Sequence, residues 1–207
     1  MHNLAQIPSI SPEEYLAIER ASPIRHEYIN GVMYAMAGGS LPHSHITVSL
    51  SRLLSTHLLG RSFECYNNDL RVLNRATGSY LYPDLLVICG EPILTDLHKD
   101  TIVNPLIIVE VLSPSTEAFD KGDKFAHYKL LDSFQVYVLV SQNQPRIEKF
   151  TRKGDVWELS ESLGLDSTFT LEAIEFSTSL RDVYYGVTFD DPPPRASSIQ
   201  PTTGNDL

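Results

Sequence analysis

Cysteine is nearly absent: there are two in 207 residues, Cys65 and Cys89, each inside an apolar, strand-like run with no second pair nearby. This argues against both a disulfide framework and a thiolate zinc site. Both thiols are expected to be buried, in a reducing, cytoplasmic setting. Long hydrophobic runs are missing as well. No window approaches the roughly 18 apolar residues of a membrane span. Met1 to Pro12 has no basic stretch followed by an apolar run, so neither export nor membrane insertion is expected. Basic charge is scarce: sixteen Lys and Arg against 26 Asp and Glu give a formal net charge of −10. That is the wrong sign for coating nucleic acid non-specifically, so any contact with a polyanion has to be local. There is no internal repeat.

The length suits one domain with a tail. We place the domain over residues 1–189. From Asp190 onward the chain turns to Pro192-Pro193-Pro194, serine, threonine and little that could be buried, the composition of a disordered tail over 190–207. Ser11-Pro12-Glu13-Glu14 reads as a helix start, with a helix to about Ala21. Asn30-Gly31 between two apolar runs predicts a β-hairpin. His43 to Leu59 places Ile46, Leu50, Leu53, Leu54 and Leu58 at helical spacing. Three strand-like runs follow, Ser62 to Asn74, Tyr80 to Cys89 and Ile102 to Leu112, the last two rich in Ile, Leu and Val like central strands covered on both faces. A helix from about Thr116 to Leu131 and strands near 135–140, 146–151 and 156–160 complete a mixed α/β order.

Two acids stand out, because each lies within an otherwise apolar strand. Asp84 follows Tyr82-Pro83, and Glu110 sits in Ile107-Ile108-Val109-Glu110-Val111-Leu112. A lone carboxylate in a dry sheet costs several kcal/mol unless it is paired, protonated, hydrogen-bonded or bound to metal. On neighbouring strands the two share one economical explanation, a common cation. Hard oxygen ligands select Mg²⁺ or Mn²⁺ over zinc. Phosphodiester hydrolysis suits such an ion, because its slow uncatalysed rate is commonly overcome by a metal that polarises phosphate and activates water.

Around these two acids stand Glu27-Tyr28-Ile29-Asn30-Gly31, His45, Pro83-Asp84, the run from Glu110 to Thr116, and Asp120, Lys124 and Tyr128. With these residues the chain from about Ile10 to Leu180 resembles the Uma-type restriction endonucleases, common in cyanobacteria, of the PD-(D/E)XK nuclease superfamily. The resemblance implies a restriction-endonuclease-like central mixed β-sheet flanked by helices, with an N-terminal β-hairpin. It further implies Asp84 and Glu110 as ligands of Mg²⁺ or Mn²⁺, DNA as substrate, a supporting role for Glu27, and a possible two-fold homodimer. The superfamily's lysine usually stands two residues after the acid, where this chain has Leu112. Lys124 on the next helix is the substitute, and Asp120, Lys124 and Tyr128 at i, i+4 and i+8 share one helix face. His45 could reach a phosphate. His43 and Asp69 are weaker candidates, the second because its polar surroundings fit a surface turn.

Plainer readings stand beside these. Asp84 could satisfy a turn, Glu110 could pair with a basic side chain, and Lys124 could form an exposed ion pair with Asp120. Ser113 to Thr116 fits a cap better than a nucleophile loop, and Trp157 and Tyr184-Tyr185 fit packing better than base stacking. For the whole protein, the alternatives are a catalytically inert nucleic-acid or protein interaction module of the same fold, or a metal-dependent hydrolase of a small phosphorylated compound.

Overall fold

A single local choice sets the opening of the chain. Asn30 and Gly31 both take positive φ, 51° and 84°, the signature of a two-residue hairpin turn that matches strand twist. They join β1 (His26–Ile29) to β2 (Val32–Ala35) in antiparallel register. In this computed structural model, which describes residues 9–189, α1 (Pro12–Ala21) precedes the hairpin. The Ser11 side chain and the Glu14 carboxylate cap α1 reciprocally, as the sequence predicts. After the hairpin comes α2 (Leu41–Leu58), capped by Ser40, which buries Ile46, Leu50, Leu54 and Leu58.

The three long apolar runs behave differently from the expectation of continuous strands. Each breaks in two, and the halves enter different sheets. The first becomes β3 (Phe63–Asn67) and β4 (Arg71–Asn74), the second β5 (Ser79–Leu81) and β6 (Leu85–Cys89), the third β7 (Thr101–Ile102) and β8 (Ile107–Leu112). In the latter two the break contains a proline, Pro83 or Pro105, which has no N–H to offer a ladder. Then come a helical segment made of α3 (Glu117–Phe119), a π-turn over Asp120–Lys124 and α4 (Phe125–Tyr128), and the strands β9 (Val136–Ser141), β10 (Arg146–Lys153) and β11 (Val156–Leu163). The hairpin of β12 (Thr168–Leu171) and β13 (Phe176–Ser179) leads into α5 (Leu180–Val183).

The six-stranded sheet has the order β11-β10-β9-β8-β6-β3, mixed because β8 and β9 run parallel while its other pairs are antiparallel. The five-stranded sheet has the order β2-β1-β5-β4-β7. Side-chain alternation divides the first sheet's apolar content between two cores. Leu85, Val87, Ile107, Val109, Val111, Val136, Val138 and Val140 face α2 and the β12–β13 hairpin. Leu86, Ile88, Ile108, Leu112, Tyr137 and Leu139 face the second sheet and α4. Glu110 has the parity of Ile108 and Leu112, so it points into the second core.

The fold is the expected mixed α/β one. Two local expectations differ. Cys65 is only partly buried and Cys89 is exposed, because Cys89 ends β6 just before Gly90, where the strand runs past its cover. The predicted helix over 116–131 ends at Tyr128 and carries the π-turn in its middle. Among the described residues no helix is long and apolar enough to cross a membrane. The predicted tail, 190–207, lies outside the described residues.

The hairpin turn gives a direct test. A Cβ added at Gly31 would lie 1.8 Å from Ser9 Oγ, on backbone with φ of +84°. Gly31→Ala is therefore expected to destabilise the fold by about 1–2 kcal/mol in urea titrations; unchanged stability would show that the turn relaxes freely.

Candidate active site

The break between β5 and β6 is where the site forms. Leu85 pairs with Val109 across β6 and β8, so Asp84, one residue earlier, comes opposite Glu110, one residue later. Each acid reaches across to the backbone of the other's strand end. Asp84 Oδ2 accepts from the Val111 N–H at 2.7 Å, and Glu110 Oε2 lies 3.4 Å from the Asp84 nitrogen.

Lys124 reaches this pair from the helical segment. Its Nζ stands 3.0 Å from Glu110 Oε1, 3.0 Å from Glu27 Oε1 and 3.6 Å from Asp120 Oδ1, and it lies 3.4 Å from the Tyr82 carbonyl oxygen. Glu110 is 3% exposed and Lys124 5%, so this is an interior ion cluster. Leu112, at the position two residues after Glu110, is buried in the apolar core. The amine arrives instead from a helix packed over the same face of the sheet, through a π-turn, a distortion that recurs at functional sites.

Glu27 is held by the Tyr82 backbone N–H at 3.1 Å. The Tyr128 hydroxyl donates to Glu110 Oε1 at 3.2 Å, and the Tyr137 hydroxyl to the Asp120 carbonyl at 3.0 Å. The structure thus brings together Asp84, Glu110, Lys124 and Glu27. Beside them stand Asp120, one of the residues that carry the family resemblance, and His43, the weaker of the two histidine candidates, whose Nε2 is 3.2 Å from Asp84 Oδ2. His45 is exposed, with its ring beside Gly186. Two residues along a helix turn the side chain through about 200°, so only one of the two histidines can face Asp84. The signal that points to His43 is the Ser40 cap with Pro42, which fixes the helix start. Asp69 pairs with Arg25 at the surface. Arg71 is buried against Asp100 and Thr101, and Lys121 pairs with Glu117 and Glu148.

The electrostatics follow from acid outnumbering base. Burial pushes the Glu110 carboxyl well above its ordinary range, against the pull of Lys124, and the acids Asp120, Asp84 and Glu27 push the same way as burial. Burial likewise raises Asp120, opposed by Lys124 and the Thr116 hydroxyl. For Lys124, burial alone would favour the neutral amine, but Glu110, Glu27 and Asp120 outweigh it and hold the proton on. The hydrogen bond to Asp84 raises His43. Asp84 Oδ1 makes no hydrogen bond among the described residues. Among those residues no three His, Cys, Asp or Glu side chains are grouped to cage an ion by themselves. Magnesium typically takes one or two carboxylates and fills its octahedron with water and phosphate. The unengaged Asp84 Oδ1 and the Glu110 Oε2, whose one partner among the described residues is the Asp84 N–H at 3.4 Å, fit that habit.

The family model described as "Putative restriction endonuclease", Uma2, matches residues 12–181. The chain belongs to the Uma2 family. Two Synechocystis sp. relatives, the uncharacterized proteins slr1290 and sll1609, support the assignment. The first is 39% identical over 187 residues, covering 89% of this chain and 96% of the relative. The second is 37% identical over 169 residues, covering 81% and 93%. A crystal structure described as "a putative nuclease belonging to DUF820" from Anabaena variabilis superposes with a TM-score of 0.70 at 16% identity, over 84% of this chain and 97% of that one. At that identity what is shared is the fold, which for this Uma2 chain is restriction-endonuclease-like.

Removing the amine should expose the acid surplus. In EDTA, Lys124→Met is expected to cost about 3–5 kcal/mol at neutral pH, the usual result of breaking a buried ion pair. Without the amine, the folded-state pKa values of Glu110 and Asp120 rise further. Protonated forms then stabilise the fold below the unfolded carboxylate range, and this stabilisation is lost as pH rises through the folded values. The deficit against the wild type should therefore shrink on acidification; a deficit independent of pH would contradict the cluster.

Proposed function

We propose that this protein is a Mg²⁺- or Mn²⁺-dependent endonuclease that hydrolyses phosphodiester bonds in DNA. The observation that carries the reading is the Lys124 amine, 3.0 Å from Glu110 in a chain whose usual lysine position holds Leu112. A purely structural acid needs one partner, whereas here three carboxylates share one amine and a fourth, Asp84, stands beside them. A divalent cation on Asp84 and Glu110 would balance that surplus, and when bound it polarises the phosphate and lowers the pKa of the attacking water.

The chain's own residues then have separable tasks. Lys124 supplies a fixed positive charge and N–H donors that orient the water and the phosphate oxygens. Glu27 holds the amine in place. Tyr128 fixes the Glu110 carboxylate, and His43, together with the Val111 N–H, fixes that of Asp84. The net charge of −10 confines DNA contact to the neighbourhood of the site. A two-fold homodimer would let two copies of the site act on the two strands. Two unpaired cysteines agree with a cytoplasmic setting.

One observation favours a second reading, a catalytically inert module of the same fold. Among the described residues every buried side-chain nitrogen and oxygen already has a hydrogen-bond partner, so the cluster could serve as structural cement.

Calorimetry with Mg²⁺ and Mn²⁺, run beside cleavage of plasmid and single-stranded DNA, separates the two. Asp84→Asn and Glu110→Gln are expected to abolish metal binding. These two and Lys124→Met should lower cleavage by about 100-fold or more, the scale of losing one preorganised charge-stabilising group. Metal binding without cleavage would favour the inert module; no metal binding would remove the ligand assignment.

A further inference from the structure

We propose that Glu19, on α1, is a positioning residue for this site: its buried carboxylate ties the strand that carries Glu27 to the turn that carries Asp84. The proposal rests on the nuclease reading for what the positioning serves. Glu19 is 6% exposed. Its Oε1 accepts from the His26 backbone N–H at 2.9 Å and from the Tyr82 hydroxyl at 2.9 Å. Its Oε2 lies 2.9 Å from His26 Nδ1. His26 immediately precedes Glu27, and Tyr82 immediately precedes Pro83-Asp84.

Tyr82 is the pivot of this arrangement. Its side chain ends on Glu19, its N–H holds Glu27 at 3.1 Å, and its carbonyl oxygen faces the Lys124 amine at 3.4 Å. The guanidinium carbons of Arg71 and Arg25 stand 5.9 Å and 6.0 Å from its ring centroid, within cation–π range. The ring is therefore held at both its face and its tip. A shift of Tyr82 would move Glu27, Lys124 and the start of β6 together.

Attachment of α1 does not require an acid here. The helix already buries Tyr15 in a cluster with Tyr28 and Tyr80, and its Arg20 pairs with Asp96 and Asp100. An apolar residue at position 19 would pack without the desolvation cost of a carboxylate. What an apolar residue cannot do is grip two separate segments at once. Glu19 does not touch the four carboxylates or Lys124, so its effect on them passes through His26 and Tyr82.

The test compares Glu19→Met, which keeps length and packing, Tyr82→Phe, which removes one hydroxyl, and Glu19→Gln as the conservative rescue. The full chain is used, and thermal melting confirms that each variant folds. Two readouts are taken: DNA cleavage with Mg²⁺, and the ¹⁵Nζ resonance of Lys124, which is independent of activity. Glu19→Met and Tyr82→Phe are expected to lower kcat about 10- to 100-fold, the range for outer-shell partners of metal sites, with KM within about twofold. Both should shift the Lys124 resonance, and the double variant should be no worse than Glu19→Met alone, because the contact that Tyr82→Phe removes is already lost with Glu19. Glu19→Gln should recover part of each effect. A Lys124 resonance that stays put in the folded variants overturns the proposal whether or not cleavage falls. If Glu19→Met does not fold, Tyr82→Phe decides alone. A wild type that cleaves no DNA fails the nuclease reading, and the Lys124 resonance then decides the positioning role by itself.

Discussion

Everything distinctive about this chain follows from one buried amine shared by three carboxylates. Lys124 lies within 3.0 Å of Glu110 and Glu27 and 3.6 Å of Asp120. Bringing these charges out of water is expensive, and the attraction between them offsets that only when geometry and hydrogen bonding are good. The fold supplies both. The alternation of β8 turns Glu110 toward the helical segment, the π-turn delivers Lys124, and Tyr128, Tyr137 and the Tyr82 backbone hold the acids or the segments that carry them. Two prolines lie in the breaks where the chain passes between sheets, and Asp84 sits in the break at Pro83, at the start of the central strand β6.

A cluster of this kind conflicts with simple core packing. Around it the sequence follows local rules closely: a capping box starts α1, an Asn-Gly turn closes the hairpin, and apolar alternation fills both cores. Such agreement across levels marks a foldable sequence, and the places where it fails are where function is expected. Here it fails at five neighbouring ionisable groups and one helical distortion. The Uma2 family and the nuclease-like fold are consistent with reading that departure as a site.

Much of this was legible in the sequence, for identifiable reasons. Asp84 and Glu110 were visible because a charged residue inside an apolar run has few cheap explanations, and the hairpin because Asn and Gly accept the positive φ that a two-residue turn needs. Other features were not legible. The apolar runs looked continuous because hydrophobicity does not mark the point where a strand leaves one sheet for another; Pro83 and Pro105 carried that information. His43 was hard to separate from His45 without the exact helix phase. Glu19 sits in a helix whose remaining acids face solvent, and its burial comes from His26 and Tyr82, both far from it in pattern. The exposure of Cys89 has no mark in the apolar pattern, because a strand's last residue can run beyond its cover.

The central claim is that Asp84 and Glu110 hold a divalent cation beside Lys124. A crystal of the protein soaked in Mn²⁺, with anomalous diffraction collected at the manganese edge, tests it most directly. The account predicts one strong anomalous peak within coordination distance of both carboxylates, with Lys124 still beside Glu110. Manganese bound elsewhere, or no peak while Glu110 stays paired to Lys124 alone, would contradict it.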